Sequence, residues 1–358
     1  MSLSDFLQRA TSKWMKDDGP QDDIILTSRI RIARNLEGIP FPMLETDSHS
    51  DHVVDLVSQA FQTEDVADLG PFELLQGKDM TDLDLNVLVE KHLISRDLAQ
   101  QKDHAAVVLR DDEVISIMVN EEDHLRIQCI MPGLRLEEAW RLASAVDDGL
   151  ERHLEYAFHE KYGYLTACPT NVGTGIRASV MMHLPGLVVS GQINRLLAAV
   201  SQVGLTVRGL YGEGSNAAGN LFQVSNQVTL GETEEEIIGN LTSVVNQLID
   251  HERAARNALL TENREGLEDR ICRSFGILAY ARRMDSKETL QRLSDVRLGI
   301  DLGIIKGVSA GILKELMVMT QPAFLQKYYK QELSPGERDV RRAALIRERL
   351  RMDNTEVR

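Results

Sequence analysis

Four arginine-bearing strings, far apart in this chain of 358 residues, carry the side chains that phosphate chemistry requires. In the first string, Arg29 and Arg31 are two residues apart, so on a strand both guanidinium groups would lie on one face. A pair of planar cations on one face suits a polyphosphate, because each guanidinium can donate two parallel hydrogen bonds to phosphate oxygens. The four strings occupy residues 27–31, 120–126, 168–179 and 208–213.

Each string taken alone also fits a simpler interpretation. Two arginines two residues apart are usually part of a solvated face, the acidic run at 121–123 is usually a charged turn, and Glu213 between glycines fits an ordinary loop. Other nucleotide-binding motifs fail outright. The sequence has no Gly-x-x-x-x-Gly-Lys-Ser/Thr loop, and its two Gly-x-Gly-x-x-Ala strings open no convincing strand–helix–strand unit.

Composition and charge limit the class of protein. With 43% hydrophobic and 27% charged residues the chain is typical of globular proteins, and its net charge of −15 argues against charge-driven nucleic-acid binding. No apolar stretch approaches the roughly 20 residues of a membrane span, and the N-terminus lacks the apolar core of a signal peptide. The three cysteines have no paired spacing, which predicts no disulfide framework and no metal site. We therefore expect a protein of the reducing cytoplasm that binds neither nucleic acid directly nor a membrane.

The spacing of apolar residues predicts a mixed region at the start of the chain. Strand patterns on both sides of a turn at 111–113 predict a hairpin, and a long helix is expected at 136–159. The expected strands are at 105–109, 114–119, 125–131, 164–168, 205–210 and 221–230.

The second part of the chain is predicted to be helical. A capping box at Thr233 and Glu236 begins a long helix, and Ser334 caps the last helix. From 262 to 352 the periodicity is helical and no convincing strand appears. We therefore expect two domains, one mixed and one all-helical, at 1–255 and 260–358.

Taken together, the four strings resemble the phosphagen (ATP:guanido) kinases in their order and wording. The string Cys-Pro-Thr-Asn-Val-Gly-Thr at 168–174 matches that family's signature, and Asn-Glu-Glu-Asp-His-Leu-Arg at 120–126 is nearly as specific. The resemblance covers residues 24 to about 230. It implies an α+β fold with a largely antiparallel sheet flanked by helices, and an enzyme that moves the γ-phosphoryl of ATP to a guanidinium. Mg²⁺ would arrive with the nucleotide, since no all-protein cage for it is visible.

The resemblance also implies which residues contact ATP. Five arginines match the family's phosphate clamp, which stabilises a transition state whose charge is spread over oxygens. His92 matches a histidine beside the adenine, although a structural histidine remains an alternative, and Met181 stands where the family often has histidine. The clamp consists of Arg29, Arg31, Arg126, Arg177 and Arg208, and the other implied contacts are Ser28, Ile30, Ile32, Ala178, Ser179, Val180, Gly209, Leu210, Tyr211, Gly212 and Glu213.

On the acceptor side the resemblance implies two carboxylates and a thiol. Glu122, beside Glu121, matches the carboxylate that binds the guanidinium and takes its proton, which is needed because a guanidinium stays protonated to above about pH 12. Glu213 matches a second carboxylate on a closing loop. Cys168 matches the signature cysteine, where nearby arginines would lower the pKa of the thiol. The remaining cysteines, Cys129 and Cys272, are predicted to be buried apolar residues.

The chain departs from the small-molecule guanidino kinases at both ends. The first motif begins at Thr27, which leaves no room for the helical domain that closes over the free substrate in those enzymes. A long helical stretch follows the last motif instead. This arrangement implies an acceptor arginine on another protein. Two alternatives remain open: a kinase of a free guanidino compound, and a non-catalytic phosphoarginine reader or scaffold, which the retained Glu122, Cys168 and Glu213 argue against.

The same resemblance implies partners and a second pocket. From the residues alone, 338–343 would be a salt-bridged surface helix; the resemblance makes it a phosphoarginine pocket formed by Arg338, Asp339, Arg341 and Arg342. The implied substrates are a heat-shock repressor and misfolded proteins, which the enzyme would mark for a Clp chaperone-protease. A zinc-binding activator protein, McsA, is the implied regulator, and the long helices are compatible with a homodimer.

Overall fold

The computed structural model describes residues 3–9, 11–15, 19–209 and 217–356 of the chain. Its centre is a sheet of eight strands, accompanied by a separate two-stranded hairpin. The strands are β1 (Ile25–Arg34), β2 (Phe72–Gln76), β3 (Ala106–Arg110), β4 (Ile115–Val119), β5 (Leu125–Pro132), β6 (Phe158–His159), β7 (Gly163–Tyr164), β8 (Ile176–His183), β9 (Leu205–Gly209) and β10 (Leu221–Asn226).

The strand order of the large sheet is β2-β3-β4-β5-β1-β8-β10-β9, and each neighbouring pair is antiparallel. Helices pack on both faces. They are α1 (Leu3–Gln8), α2 (Asp47–Ala60), α3 (Glu64–Ala67), α4 (Asp82–Glu90), α5 (Arg96–Gln100), α6 (Leu136–Glu151), α7 (Pro185–Val189), α8 (Ile193–Gln202), α9 (Glu234–Glu262), α10 (Arg264–Tyr280), α11 (Ser286–Asp301), α12 (Ile312–Met319), α13 (Pro322–Tyr329) and α14 (Pro335–Glu356).

The alternation of β1 separates an apolar face from an arginine face. Ile30 and Ile32 are completely buried in a core that the sheet shares with α6 and α9. Arg29 and Arg31 are only partly buried and point to the opposite face, because successive side chains of a strand alternate. The prediction that both guanidinium groups lie on one face is therefore confirmed. A second core, with side chains from α1, α4 and α13, borders this face.

The secondary structure confirms most of the predicted elements and corrects three. The hairpin of β3 and β4 and the caps of α9 and α14 are as predicted. The helix predicted at 136–159 ends at Glu151, because Tyr156 and Ala157 pair instead with the chain beyond β1. The strand predicted at 221–230 ends at Asn226, whose side-chain amide bonds neighbouring main-chain groups. The strand predicted at 164–168 is reduced to the two residues of β7.

The prediction for one of the cysteines is wrong. Cys129 is buried, and burial raises the pKa of its thiol, but Cys272 is exposed. Cys272 lies next to Ile271, and α10 packs Ile271, Ser274 and Leu278 inward. The neighbouring position therefore faces away from the core, because about 3.6 residues complete a helical turn.

The fold is α+β, as predicted, with the antiparallel sheet and its flanking helices followed by the helical region α10–α14. Helix α9 passes through 255–260 without a break, and Asn263 then caps α10, so the division into two domains stays a prediction. The helical region is bonded to the sheet region through Ser294, whose hydroxyl lies 2.8 Å from His183 Nε2 and 2.7 Å from Asn220 Nδ2. None of the described helices is both long enough and apolar enough to cross a membrane.

A buried ion pair joins β1 to α6 on the face of the sheet that α6 and α9 cover. Arg34 Nη2 lies 2.6 Å from Asp147 Oδ2, and the two side chains are 2% and 7% exposed. Arg34 Nη1 also donates to the main-chain oxygens of Ala33 and Thr174 at 2.9 and 3.0 Å, and its guanidinium lies 3.4 Å from the centre of the Tyr164 ring. This arginine is therefore structural: Asp147 balances its charge and protein oxygens bind both of its terminal nitrogens, although its buried Nε has no hydrogen-bond partner.

Replacing Asp147 with Ala should lower the free energy of unfolding by about 3–5 kcal/mol, because Arg34 would be left buried without its counter-charge. Urea unfolding followed by circular dichroism would measure the change. The matched control is Asp148→Ala at the exposed neighbouring position on α6. Equal stability of the two variants would contradict the structural role of the pair.

Candidate active site

Three adjacent strands bring arginines together on the face of the sheet opposite α6. Arg29 and Arg31 lie on β1, and Arg126 and Arg177 lie on the strands to either side, β5 and β8. Arg31 is directly opposite Arg177 in the ladder, and Arg126 is opposite Ala33. These four arginines are spread over about 150 positions of the sequence, and strand pairing brings them into one cluster. The fifth predicted arginine is Arg208.

The arginines of this face repel one another. Burial lowers the pKa of Arg29 to about 10, and the charges of Arg126 and Arg177 contribute. Burial also lowers the pKa of Arg31 well below its usual value, with contributions from Arg29, Arg126 and Arg177. Arg31 Nε is buried and has no hydrogen-bond partner. A buried donor without a partner in a cluster of cations indicates that an anion binds here.

Arg208 extends the cluster towards the edge of the sheet. It lies on β9, opposite Gln223 of β10, and its side chain is exposed. Burial lowers the pKa of Arg177, and the charge of Arg208 is the next contribution. Arg208 is therefore close enough to Arg177 to act on the same ligand.

A carboxylate pair lies next to the arginine face. Glu121 and Glu122 belong to the turn between β4 and β5, which begins at Asn120 with a left-handed φ of 57°. Arg126 donates to both carboxylates, at 2.8 Å to Glu121 and 2.5 Å to Glu122. Glu121 is buried, whereas the side chain of Glu122 is 45% exposed. The exposed carboxylate is the one that an acceptor from outside could reach.

Asp123 fixes this turn to the segment that carries Cys168. One of its oxygens accepts from Asn35 Nδ2 and from the main-chain N–H of Ala167, both at 2.7 Å. Cys168 follows directly, is partly exposed, and has its Sγ 3.1 Å from Thr170 Oγ1. Asp123 therefore ties the main chain next to Cys168 to the turn that carries the two glutamates.

Gly173 allows the loop after Cys168 to pack closely. Its φ is 114°, and a Cβ there would lie 2.7 Å from the main-chain oxygen of Thr229. Thr229 Oγ1 contacts the main-chain oxygens of Thr170 and Val172 at 3.0 and 2.8 Å. Only glycine combines this conformation with this close approach, which explains why the loop needs it.

His92 lies at the other end of the arginine face. Its Nε2 is buried and has no hydrogen-bond partner, and burial, with a contribution from Arg29, lowers the pKa of its imidazole to about 4. The imidazole is therefore neutral at neutral pH. A narrow cavity, with room for about one water molecule, joins His92 to the arginine face. It is lined by Trp14, Thr27, Arg29, His92, Ile130, Ser179, Met181 and Gln223.

Not every predicted ATP-contact residue has its side chain on this face. Ser179 and Met181 lie on it, and Gly209 ends β9. The hydroxyl of Ser28 is already used, since it donates to Gly133 and accepts from the N–H of Arg135. The predicted apolar contacts have buried side chains in the core of the opposite face, namely Ile30, Ile32, Ala178 and Val180. Four further predicted positions lie outside the described residues: Leu210, Tyr211, Gly212 and Glu213.

The predicted phosphoarginine pocket lies on α14. Arg342 is buried and donates to the main-chain oxygens of Thr320 and Met284 and to Asp339, at 2.8, 2.9 and 2.8 Å. The guanidinium of Arg341 lies 4.9 Å from the centre of the Tyr329 ring. Arg338 is on the same helix, one turn before Arg342. Protein groups therefore already hold Arg342 in place.

Sequence reasoning did not assign to the site four of the residues that line the cavity, namely Trp14, Thr27, Ile130 and Gln223. Gln223 Oε1 accepts from Arg29 Nη2 at 3.0 Å. Its position in the alternating strand β10 could have indicated this, because it shares a face with Met181 in the ladder. Trp14 precedes the first motif, and no pattern in the sequence links it to the site. Among the described residues, no group of three His, Cys, Asp or Glu side chains could hold a metal ion.

Replacing His92 with Gln should weaken ADP binding by a factor that does not change between about pH 5.5 and 8, because the imidazole stays neutral throughout that range. Calorimetric titration of both proteins with Mg-ADP would measure it, and taking the ratio of the two Kd values cancels the titration of the nucleotide. A ratio that changes near pH 6.5 would contradict the lowered pKa.

Two family profiles match the chain. They are the ATP:guanido phosphotransferase, C-terminal catalytic domain, over residues 52–255, and the Protein-arginine kinase McsB C-terminal domain, over residues 264–358. The chain is 58% identical over 354 residues to the Protein-arginine kinase of Halalkalibacterium halodurans, with 99% of each chain covered. It is 57% identical over 352 residues to that of Brevibacillus brevis, covering 98% of this chain and 99% of the relative.

Solved structures share the fold at low sequence identity. A lombricine kinase superposes with a TM-score of 0.57 at 23% identity, covering 70% of this chain and 72% of that one. The duplicated taurocyamine kinase from Schistosoma mansoni gives 0.56 at 24% identity, covering 70% and 38%. These matches confirm the resemblance seen in the sequence. They also confirm the prediction that the protein is an ATP-dependent phosphotransferase. The chain belongs to the ATP:guanido phosphotransferase family and, within that family, to the protein-arginine kinases.

Proposed function

We propose that the arginine face and the turn carrying Glu121 and Glu122 transfer the γ-phosphoryl of ATP to arginine side chains of other proteins. The contact of Arg126 with both carboxylates carries this proposal. These carboxylates already bind a guanidinium, next to a face of cations with an unpartnered donor. The acceptor in the proposed reaction is the same chemical group.

The arginine face binds the polyphosphate of ATP in this proposal. An anion would offset the repulsion among Arg29, Arg31 and Arg177, and these cations are already in place when charge spreads over the oxygens of the transferring group. Mg²⁺ fits as a companion of the nucleotide, held by phosphate oxygens and water, because the described residues form no three-ligand group of their own. When bound, it adds charge neutralisation at the phosphates.

Glu122 holds the acceptor guanidinium and takes its proton. The attacking nitrogen forms a bond to the γ-phosphorus while the bond from that phosphorus to the bridging oxygen of ADP breaks. The proton of the nitrogen passes to a carboxylate oxygen of Glu122. Cys168, tied to the same turn through Asp123, contacts the guanidinium, and Glu213 supplies a second carboxylate.

The proposed cellular role is to mark proteins for degradation. The substrates are a heat-shock repressor and misfolded proteins in the cytoplasm, and the phosphoarginine directs them to a Clp chaperone-protease. The zinc-binding protein McsA activates the kinase, and the long helices of the chain are compatible with a homodimer. Support comes from relatives named protein-arginine kinases over nearly the whole chain.

The proposed second site, which binds a phosphoarginine, is on α14. Asp339 accepts from Arg342 at 2.8 Å and lies 3.5 Å from Arg283, so it already binds guanidinium groups. Arg338 and Arg341 lie on the same helix and would hold the phosphoryl with Arg342. The match of the C-terminal profile supports this site.

Replacing Glu122 with Gln should lower kcat by about 100- to 10,000-fold, because the amide keeps the shape but cannot take the proton. ADP should bind at least as tightly as before, since Arg126 loses one of its two carboxylate partners. The control is Glu138→Gln, which removes a carboxylate that is 51% exposed and also lies near an arginine, outside the site. Near-normal kcat in Glu122→Gln would contradict the mechanism.

A transfer assay with labelled ATP and Mg²⁺ tests the acceptor. It compares free arginine with an unfolded arginine-rich protein, with and without the activator. Acid-labile label on the protein alone is the expected result, because a P–N bond breaks in acid whereas a serine phosphate survives. Label on free arginine alone would indicate a small-molecule guanidino kinase, and no label under any condition would favour a phosphoarginine reader.

A further inference from the structure

The segment that precedes β1 reaches the His92 end of the nucleotide cavity. Trp14 lies on a short 3-10 turn, Lys13–Met15, and is 1% exposed. Its ring meets the His92 ring edge-on, with centroids 5.5 Å apart and planes at 62°. Its Nε1 donates to the main-chain oxygen of Lys91 at 3.3 Å. Trp14 therefore contacts both the histidine ring and the peptide group before it.

A buried ion pair holds this segment against α4. Lys91 Nζ lies 2.6 Å from Glu113 Oε1, and both side chains are completely buried. Lys91 also donates to the main-chain oxygen of Phe6 at 2.8 Å, and Ser12 donates to the second oxygen of Glu113. The two charges are thus also satisfied by contacts with Phe6 and Ser12, both of which precede Trp14, and these contacts fix the segment that leads into the indole.

The backbone at His92 is held in an uncommon conformation. Its φ is 61°, in the left-handed region that side chains other than glycine enter at a cost. Gln128 Nε2 donates to its carbonyl oxygen at 2.9 Å, which fixes the peptide group. The ring nitrogen Nε2 nevertheless has no partner and is buried. The protein therefore leaves this nitrogen available to a water molecule or a ligand.

The cavity has an aromatic end and a cationic end. Trp14 and His92 line the first, and Arg29, bonded to Ser179 and Gln223 at 3.4 and 3.0 Å, lies at the second. A purine nucleotide has the same polarity, with a flat base at one end and phosphates at the other. A nucleotide that binds with its phosphates at Arg29 would therefore direct its base towards His92 and Trp14.

We propose that Trp14 is a positioning residue for the purine base: it holds the His92 ring in place and closes the base end of the cavity. The proposal rests on the proposed function, since it requires that the arginine face binds ATP. Trp14 acts through His92 and through the shape of the cavity, and it takes no part in the transfer step.

The first test compares Trp14→Leu with Phe6→Leu. Phe6 is completely buried in the same apolar core and the same segment, but it does not line the cavity. Trp14→Leu should raise the KM for ATP about three- to tenfold and leave kcat within about twofold, because an aromatic pair is lost while the transfer groups stay in place. Both substitutions should lower the thermal unfolding midpoint by similar amounts, because each truncates a buried aromatic side chain in the same core. Phe6→Leu should, however, leave the KM for ATP unchanged.

A second readout separates base positioning from general destabilisation. The ratio of kcat/KM for ATP to that for GTP should fall in Trp14→Leu and stay at the wild-type value in Phe6→Leu. Trp14→Phe, which keeps an aromatic edge towards His92 but cannot donate to Lys91, should recover most of this selectivity. Equal KM and selectivity in all three variants and the wild type would overturn the proposal.

Tryptophan fluorescence gives a test that needs no turnover. The chain has two tryptophans, and Trp140 lies on α6. Mg-ADP should change the emission of the Trp140→Phe protein and leave that of Trp14→Phe unchanged. Calorimetry on the wild type distinguishes the two possible failures. No heat of ADP binding would refute the proposed function itself, whereas normal binding without any emission change from Trp14 would refute only the base-positioning role.

Discussion

The crowding of like charges on one face of a sheet is the constraint on which the site depends. Arg31 and Arg177 are direct partners across β1 and β8, a pairing that like charges oppose. The ladder persists because its other face is apolar, with Ile30 and Ile32 fully buried under the helices. The sheet therefore maintains a positive surface that an isolated strand could not, and a polyphosphate meets cations that are already in place.

The same strand places two arginines in different electrostatic surroundings. Arg34 faces the helices, where Asp147, two main-chain oxygens and the Tyr164 ring surround its guanidinium. Arg31, three positions earlier, faces the other way, where the charges of Arg29, Arg126 and Arg177 act on it. Residue type and charge are identical in both cases. Each guanidinium keeps a buried Nε without a partner, so the two arginines differ in their neighbouring charges. Arg34 has the carboxylate of Asp147, whereas Arg31 lies among cations whose repulsion an anion would offset.

Local patterns predicted the alternation of β1, the β3–β4 hairpin and the caps of α9 and α14, because each depends on neighbours in sequence. The register that places Arg31 opposite Arg177 could not be predicted from the residues, since it is set by pairing between strands far apart. The end of α6 at Glu151 has the same origin, a bridge between Tyr156 and Leu36. Gln223 and Trp14 carry no motif, and only the folded chain brings them to the cavity. The roles of individual site residues stay predictions, including those of Glu213, which lies outside the described residues.

The contact between Arg126 and Glu122 has a consequence for the order of events in the proposed reaction. One carboxylate cannot pair fully with two guanidinium groups, so the enzyme's own arginine competes with the acceptor for Glu122. When phosphates attract Arg126, its contact with Glu122 weakens and the carboxylate becomes available to the acceptor. When an acceptor displaces Arg126 from Glu122, Arg126 becomes available to the phosphates. Thermodynamic linkage makes the two effects equal. Each substrate thereby promotes binding of the other, and an arginine on a passing protein finds the carboxylate already occupied until a nucleotide has arrived.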